Sequence, residues 1–201
     1  PEHRGFGNLR VINDDIIAPG GGFATHPHDN MEIVTYVLEG ALEHKDSMGN
    51  GSVIQAGDVQ RMSAGTGITH SEFNPSSDAL VRLLQIWFFP NQRDVTPGYA
   101  QKQFSDADKH NTLRLVASEQ GRDGSISLHQ DVDMLAGRLD GKEDITYPVW
   151  QGRKVWVQVA TGTDRLNGQE MAEGDGAAIE GEQALQFSDA TDAEIIVFDM
   201  R

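Results

Sequence analysis

From Leu9 onward the chain is a succession of short apolar runs, each the length of a strand and each bounded by Gly, Asn, Asp or Pro. In the first half they are Leu9 to Ile12, Ile33 to Leu38, Ser52 to Ile54, Val59 to Met62 and Leu80 to Phe89. A second series follows: Thr112 to Val116, Ile126 to Leu128, Val155 to Ala160, Ala177 to Ile179, Ala184 to Phe187 and Glu194 to Phe198. Such punctuation predicts an all-β sandwich or barrel. Between the two series lies Pro90 to Asn111, polar and charged, which predicts a crossing between domains and a helical turn after Ser105. With 201 residues, 38% of them apolar, the chain can bury two small cores.

An internal echo supports two copies of one unit. Ile33 to Gly40 (IVTYVLEG) aligns without gaps to Val155 to Gly162 (VWVQVATG), and Gly57-Asp58 is answered by Gly174-Asp175. The expected domains are therefore residues 1–112 and 113–201.

Composition narrows the chemistry. Thirty-one acidic against sixteen basic side chains leave a net charge of -15, which opposes attraction to phosphate backbones or anionic lipid. Direct nucleic-acid and membrane partners are not expected, and no run approaches the roughly 18 apolar residues of a membrane span. The opening Pro1-Glu2-His3-Arg4 does not read as a signal peptide, and a cytoplasmic location is expected. A start at Pro predicts that a natural N-terminal segment is missing. With no cysteine, thiolate metal sites, disulfides and thiol nucleophiles are excluded, and a metal must be held by N and O ligands.

Those ligands sit between Gly20 and Asn74. His26-Pro27-His28 places two imidazoles at i and i+2, on one face of a strand, and His70-Ser71-Glu72 does the same with an imidazole and a carboxylate. Two antiparallel strands carrying these pairs inside a barrel supply three N donors and one O donor, a shell for Fe, Mn, Co, Ni, Cu or Zn with open positions left over. Burying four such groups without a shared partner is costly, which favours a common ion. Glu32 shares the parity of His28 only if the strand is unbroken. Because Asp29-Asn30 reads as a turn, Glu32 is expected behind the ligands, orienting an imidazole. His3, His44, His110 and His129 are expected to be solvated. Phe23, Met31, Met62, Ile68 and Phe73 are candidates to line a pocket for a planar ring, or to be ordinary barrel core.

At these residues the sequence resembles the cupin superfamily, and within it the pirin family. Gly20, His26, His28, Glu32 and Gly40 meet the first cupin motif with one extra residue before the last Gly. His70 and Asn74 meet the end of the second, and the longer spacing from Gly65 to His70 is itself pirin-like. So are the runs LRVINDD from Leu9, EHKDSMG from Glu43 and MSAGTGITHSE from Met62. The resemblance implies a bicupin, two jelly-roll β-barrels packed together, of which only the first binds metal. It implies iron(II) on His26, His28, His70 and Glu72, with Glu32 not a direct ligand. It also implies a dioxygenase that opens quercetin or a related flavonol with O2 and releases carbon monoxide, Glu72 taking the substrate proton. The alternative it leaves is an iron-dependent regulatory module acting on a protein partner. Two fused cupins lead to the expectation of a monomer.

Overall fold

The apolar run at Ile33 becomes the middle of a sheet in the structure, a computed structural model that describes residues 5–201. The chain divides into two compact units: one ends at Gln103 and takes in Leu128–Gln130, and the other comprises Phe104–Ser127 and Asp131–Arg201. The last strand before the crossing, Gly98–Gln103, completes the first unit, so the division falls earlier than position 112.

The first unit contains β1 (Leu9–Ile17), β2 (Gly22–His28), β3 (Glu32–Glu39), β4 (Ala41–Asp46), β5 (Gly51–Gln55), β6 (Asp58–Ser63), β7 (Ile68–Phe73), β8 (Val81–Phe88) and β9 (Gly98–Gln103). They form a five-stranded sheet in the order β1-β8-β3-β6-β9 and a four-stranded sheet in the order β2-β7-β4-β5. Every pairing in the two sheets is antiparallel. β3 lies at the centre of the larger sheet and is buried on both faces, which is why its sequence reads as a continuous β-branched and aromatic run. The two sheets face each other, because Thr35 and Gln85 of one reach Glu72 of the other.

Side chains facing the interior are layered. Ile17, Val37, Leu42, Ile54, Val81 and Leu83 form one apolar cluster, and Ile33, Met62, Ala64 and Ile68 form another, with Met31 and Trp87 against it. Between them runs a polar row in strict register across the larger sheet: Asn13, Gln85, Thr35, Gln60 and Gln101. The site described below is built against that row.

The second unit holds α1 (Asp106–Lys109), β10 (Arg114–Ser118), a 3-10 turn (Arg122–Gly124), β11 (Ile126–Ser127), β12 (Val132–Leu139), β13 (Ile145–Pro148), β14 (Lys154–Leu166), β15 (Gln169–Ala172), β16 (Gly176–Glu180) and β17 (Ala184–Met200). All its strands belong to one eight-stranded sheet around a core that includes Val155, Val157, Val159, Leu185, Phe187, Ile195 and Val197. The expected helical turn is α1, closed at its start by a capping box in which Ser105 and Asp108 satisfy each other's backbone N–H. The two runs at Ala184 and Glu194 are one strand, not two. The polar stretch between them carries Asp189 and Asp192 at positive φ (51° and 46°), and irregular register against β14 absorbs it without ending the pairing.

The internal echo is conformational. Gly40 and Gly162 take φ of 75° and 71°, and Gly57 and Gly174 take 85° and 87°. After each of the latter, Asp58 or Asp175 accepts a hydrogen bond through Oδ2 from the backbone N–H three residues earlier, of Gln55 or Ala172, both at 2.9 Å.

Close approach of β2 to β7 fixes the smaller sheet. A Cβ on Gly22 would stand 2.2 Å from the backbone oxygen of Glu72 and 2.6 Å from Cα of Phe73. Gly22→Val is expected to lower unfolding stability by about 2–3 kcal/mol, the cost of overpacking against backbone, and to lower metal affinity with it. Chemical denaturation with metal titration checks this. Wild-type values for both would show that the two strands need no glycine to meet.

Candidate metal centre

β2 is the edge of its sheet, which lets Pro27 sit within it although proline offers no N–H to a ladder. Its side chains alternate, so His26 and His28 face the interior together. A bulge between Phe23 and His26 resets the register and brings His26 opposite His70 on β7. The imidazoles of His26, His28 and His70 converge: ring centroids lie 4.5 to 5.0 Å apart, and the donor atoms are all within 4.8 Å of one another. Nε2 of His26 is 3.0 Å from Nε2 of His70. Nδ1 of His26 lies 2.8 Å from the Ala24 carbonyl, which accepts its proton and leaves Nε2 as a lone pair aimed inward.

Glu72, two residues after His70, is buried and held from the opposite sheet. Thr35 Oγ1 donates to its Oε1 at 3.4 Å and Gln85 Nε2 to its Oε2 at 2.7 Å. Burial lifts its pKa to about 7, against the pull of those two hydrogen bonds. Burial pushes His70 down to about 3, helped by His26, His28 and His44, and it lowers His28 as well. Three converging imidazoles beside a carboxyl group are a donor set for a divalent ion. The buried Nδ1 of His70 has no hydrogen-bond partner in the structure. The residues present therefore fit a metal bound by N and O atoms.

A second cluster, missed in the sequence, shares His70 and Glu72 and adds His44. The expectation of a solvated His44 is wrong. It lies on β4 directly opposite Glu72 and is fully buried, with Nε2 3.2 Å from Asp46 Oδ2 and its ring 5.0 Å from that of Tyr99. Leu42-x-His44-x-Asp46 has the period-two spacing that would have revealed it, obscured by the charges of Glu43 and Lys45 between them.

Glu32 also needs correction. β2 ends at His28, Asn30 turns at φ 46°, and β3 starts in the other sheet, so the parity with His28 is lost. Glu32 is buried, but it accepts from the backbone N–H of His129 at 3.1 Å and lies 3.2 Å from Nδ1 of the same residue. It orients His129 and no metal-facing imidazole. His129, expected in solvent, is a partly covered group that Ser63 Oγ approaches at 3.2 Å. His110 is exposed as expected, and His3 lies outside the described residues.

A cavity of ≈ 140 Å³ reaches the cluster, walled by His26, His28, His70 and Glu72 together with Asn13, Asp15, Phe23, Ile33, Gln85 and Trp87. Of the five apolar candidates only Phe23 lines it. Met31, Met62 and Ile68 pack in the neighbouring apolar cluster, and Phe73 is partly exposed, one position out of phase with Glu72. Trp87 was missed. Its indole meets the ring of His28 edge to face at 5.1 Å.

Paired β-sheets enclosing an imidazole and carboxylate centre in the first unit, with an echo of that unit in the second, define a two-domain cupin metalloprotein. Comparison with known proteins narrows this. The Pirin family model matches residues 1–88, and the quercetinase C-terminal cupin domain model matches residues 115–200. The chain belongs to the pirin family. It is 46% identical over 200 residues to the quercetin 2,3-dioxygenase of Escherichia coli, covering 100% of this chain and 85% of the relative. A pirin-like protein of Caulobacter vibrioides is 37% identical over 200 residues, 99% of this chain and 86% of the relative. The crystal structure of the E. coli bacterial pirin YhhW in complex with nickel(II) superposes with a TM-score of 0.94 at 46% identity, covering 100% of this chain and 85% of that one.

The environment of Glu72 has a measurable signature. Its folded pKa of about 7 is above the ordinary 4.5, so the metal-free protein loses stability as pH rises from about 4.5 to about 7, by about 3 kcal/mol at 1.36 kcal/mol per unit. Glu72→Gln is expected to lack this loss. The stability difference between variant and parent should therefore grow in favour of the variant across that window, the His70 contribution being common to both. A difference independent of pH would refute the protonated, buried state of Glu72.

Proposed function

We propose that the chain is a metal-dependent dioxygenase that opens the central ring of quercetin or a related flavonol with O2 and releases carbon monoxide. The observation that carries this reading is the cavity whose wall contains His26, His28, His70 and Glu72. A path from outside to the donor atoms is what catalysis needs and a purely regulatory metal does not. The names of the E. coli relatives support the same reading. The proposed ligands are His26, His28, His70 and Glu72, and the proposed native ion is iron(II), which suits O2 chemistry at a site of imidazoles and carboxylate. Nickel(II) in the E. coli structure is compatible, because affinity for N and O sites rises toward copper whatever the function.

The bound ion supplies Lewis acidity toward the flavonol oxygens and a centre for O2 activation. Glu72, as ligand or after partial release, takes the proton of the 3-hydroxyl. Gln85 and Thr35 hold that carboxyl in place from the facing sheet while it changes charge. The cavity accommodates the hydroxyl-ketone edge of the substrate. Phe23, partly exposed, borders the remainder of the planar ring system, and Trp87 fixes the orientation of His28.

Aerobic addition of quercetin to iron-loaded protein is expected to bleach its visible absorbance with release of about one carbon monoxide per quercetin, as ring opening requires. Unchanged absorbance with iron shown to be bound would remove the dioxygenase reading. Separately, His70→Ala and Glu72→Ala are each expected to lower bound metal and activity together, by tenfold or more in affinity on the scale of about 1.4 kcal/mol per decade. Elemental analysis checks this, and full metal content in both variants would overturn the ligand assignment.

A further inference from the structure

Two adjacent acids on β1 are used differently. Asp14 is held by Arg82 of β8, whose Nε donates to its Oδ1 at 2.9 Å and whose Nη2 donates to its Oδ2 at 2.6 Å. Asp15, one position on and so on the other face of the strand, lines the cavity that reaches His26, His28, His70 and Glu72. It is half-buried, and among the described residues no hydrogen bond or cation holds its carboxylate. Burial, and after it the like charge of Asp14, raises its pKa with nothing acting to lower it. Its charge is also felt at Glu72.

A carboxylate so placed has lost part of its water and gained no donor from the fold. An occupant of the cavity strips away more of that water, so it has to bring a donor of its own. A cationic donor is disfavoured, because the imidazoles and carboxyl group beside it are suited to a divalent cation that would repel it. Phe23, Ile33 and Trp87 give the same cavity apolar wall, which suits an aromatic ring. A neutral phenolic O–H on such a ring meets both demands.

We infer, on the flavonol reading proposed above, that Asp15 is a specificity-determining residue: it accepts a hydrogen bond from a phenolic hydroxyl other than the 3-hydroxyl, and so selects polyhydroxylated flavonols over 3-hydroxyflavone. Glu72, held by Thr35 and Gln85, serves the 3-hydroxyl in that reaction. A flavonol without a second hydroxyl leaves the Asp15 carboxylate desolvated and unpaired. That penalty, more than the hydrogen bond itself, supplies the discrimination.

The test is equilibrium binding of quercetin and of 3-hydroxyflavone to the metal-loaded full chain without O2, followed by quenching of tryptophan fluorescence, in the parent, Asp15→Ala and Asp15→Asn. The parent is expected to prefer quercetin, and Asp15→Ala to lower the ratio of the two affinities about tenfold or more, the worth of one hydrogen bond to a charged group. Asp15→Asn, which keeps the shape and a neutral acceptor, is expected to fall between the two, and it decides should the alanine variant fail to fold. A merely structural role would weaken both ligands alike. An unchanged ratio in the folded variants therefore overturns the role of Asp15 even where the parent binds quercetin and opens it, and equal affinity of the parent for both ligands overturns it too. Failure of the parent to bind either flavonol removes the flavonol reading and this selection with it.

Discussion

Everything at the metal centre depends on the pairing of β2 with β7. One register places His26 opposite His70, and the alternation of each strand then brings His28 and Glu72 to the same interior. A slip of β2 by one residue would turn His26 and His28 outward. The bulge after Phe23 and the near-contact of Gly22 with the Glu72 backbone are what hold that register on an edge strand, where pairing on one side alone is weakest. The four side chains are therefore positioned by backbone geometry.

The same pairing explains why the site is reactive as well as ordered. Its polar groups lie between two apolar clusters, so each loses water without gaining a full set of partners. Desolvation drives imidazole and carboxylate in opposite directions, toward the neutral form in both cases. Burial thus disfavours the charged forms of His28, His70 and Glu72 alike.

Much of this was legible in the sequence, for identifiable reasons. The convergence of the two donor pairs was readable because strand alternation is a strict period of two. The continuous apolar strands were readable because both their faces are covered. The strands that escaped, β4 and β9 among them, carry charged or amide side chains at the sheet surface and lack an apolar run. His44 was misread on that account, since a histidine between Glu43 and Lys45 looks solvated until β4 is known to pair with β7. Glu32 was misplaced for a different reason. A turn at Asn30 can end a strand, but sequence does not say that the next strand joins the other sheet and exchanges the faces.

The two halves show how a duplicated scaffold divides its tasks. They share the turn at Gly57-Asp58 and Gly174-Asp175, down to the hydrogen bond that closes it. The difference lies in the aligned strands. Thr35, which donates to Glu72, corresponds to Val157, a core residue. Filling that position with an aliphatic side chain removes the polar support a carboxylate ligand requires, while it completes the packing of Val155, Val159 and Val197 around it. The second core is thus incompatible with a copy of the first site at the same place. In the first unit the clustered donors sit where the regular pairing of a sheet is interrupted, by the bulge in β2.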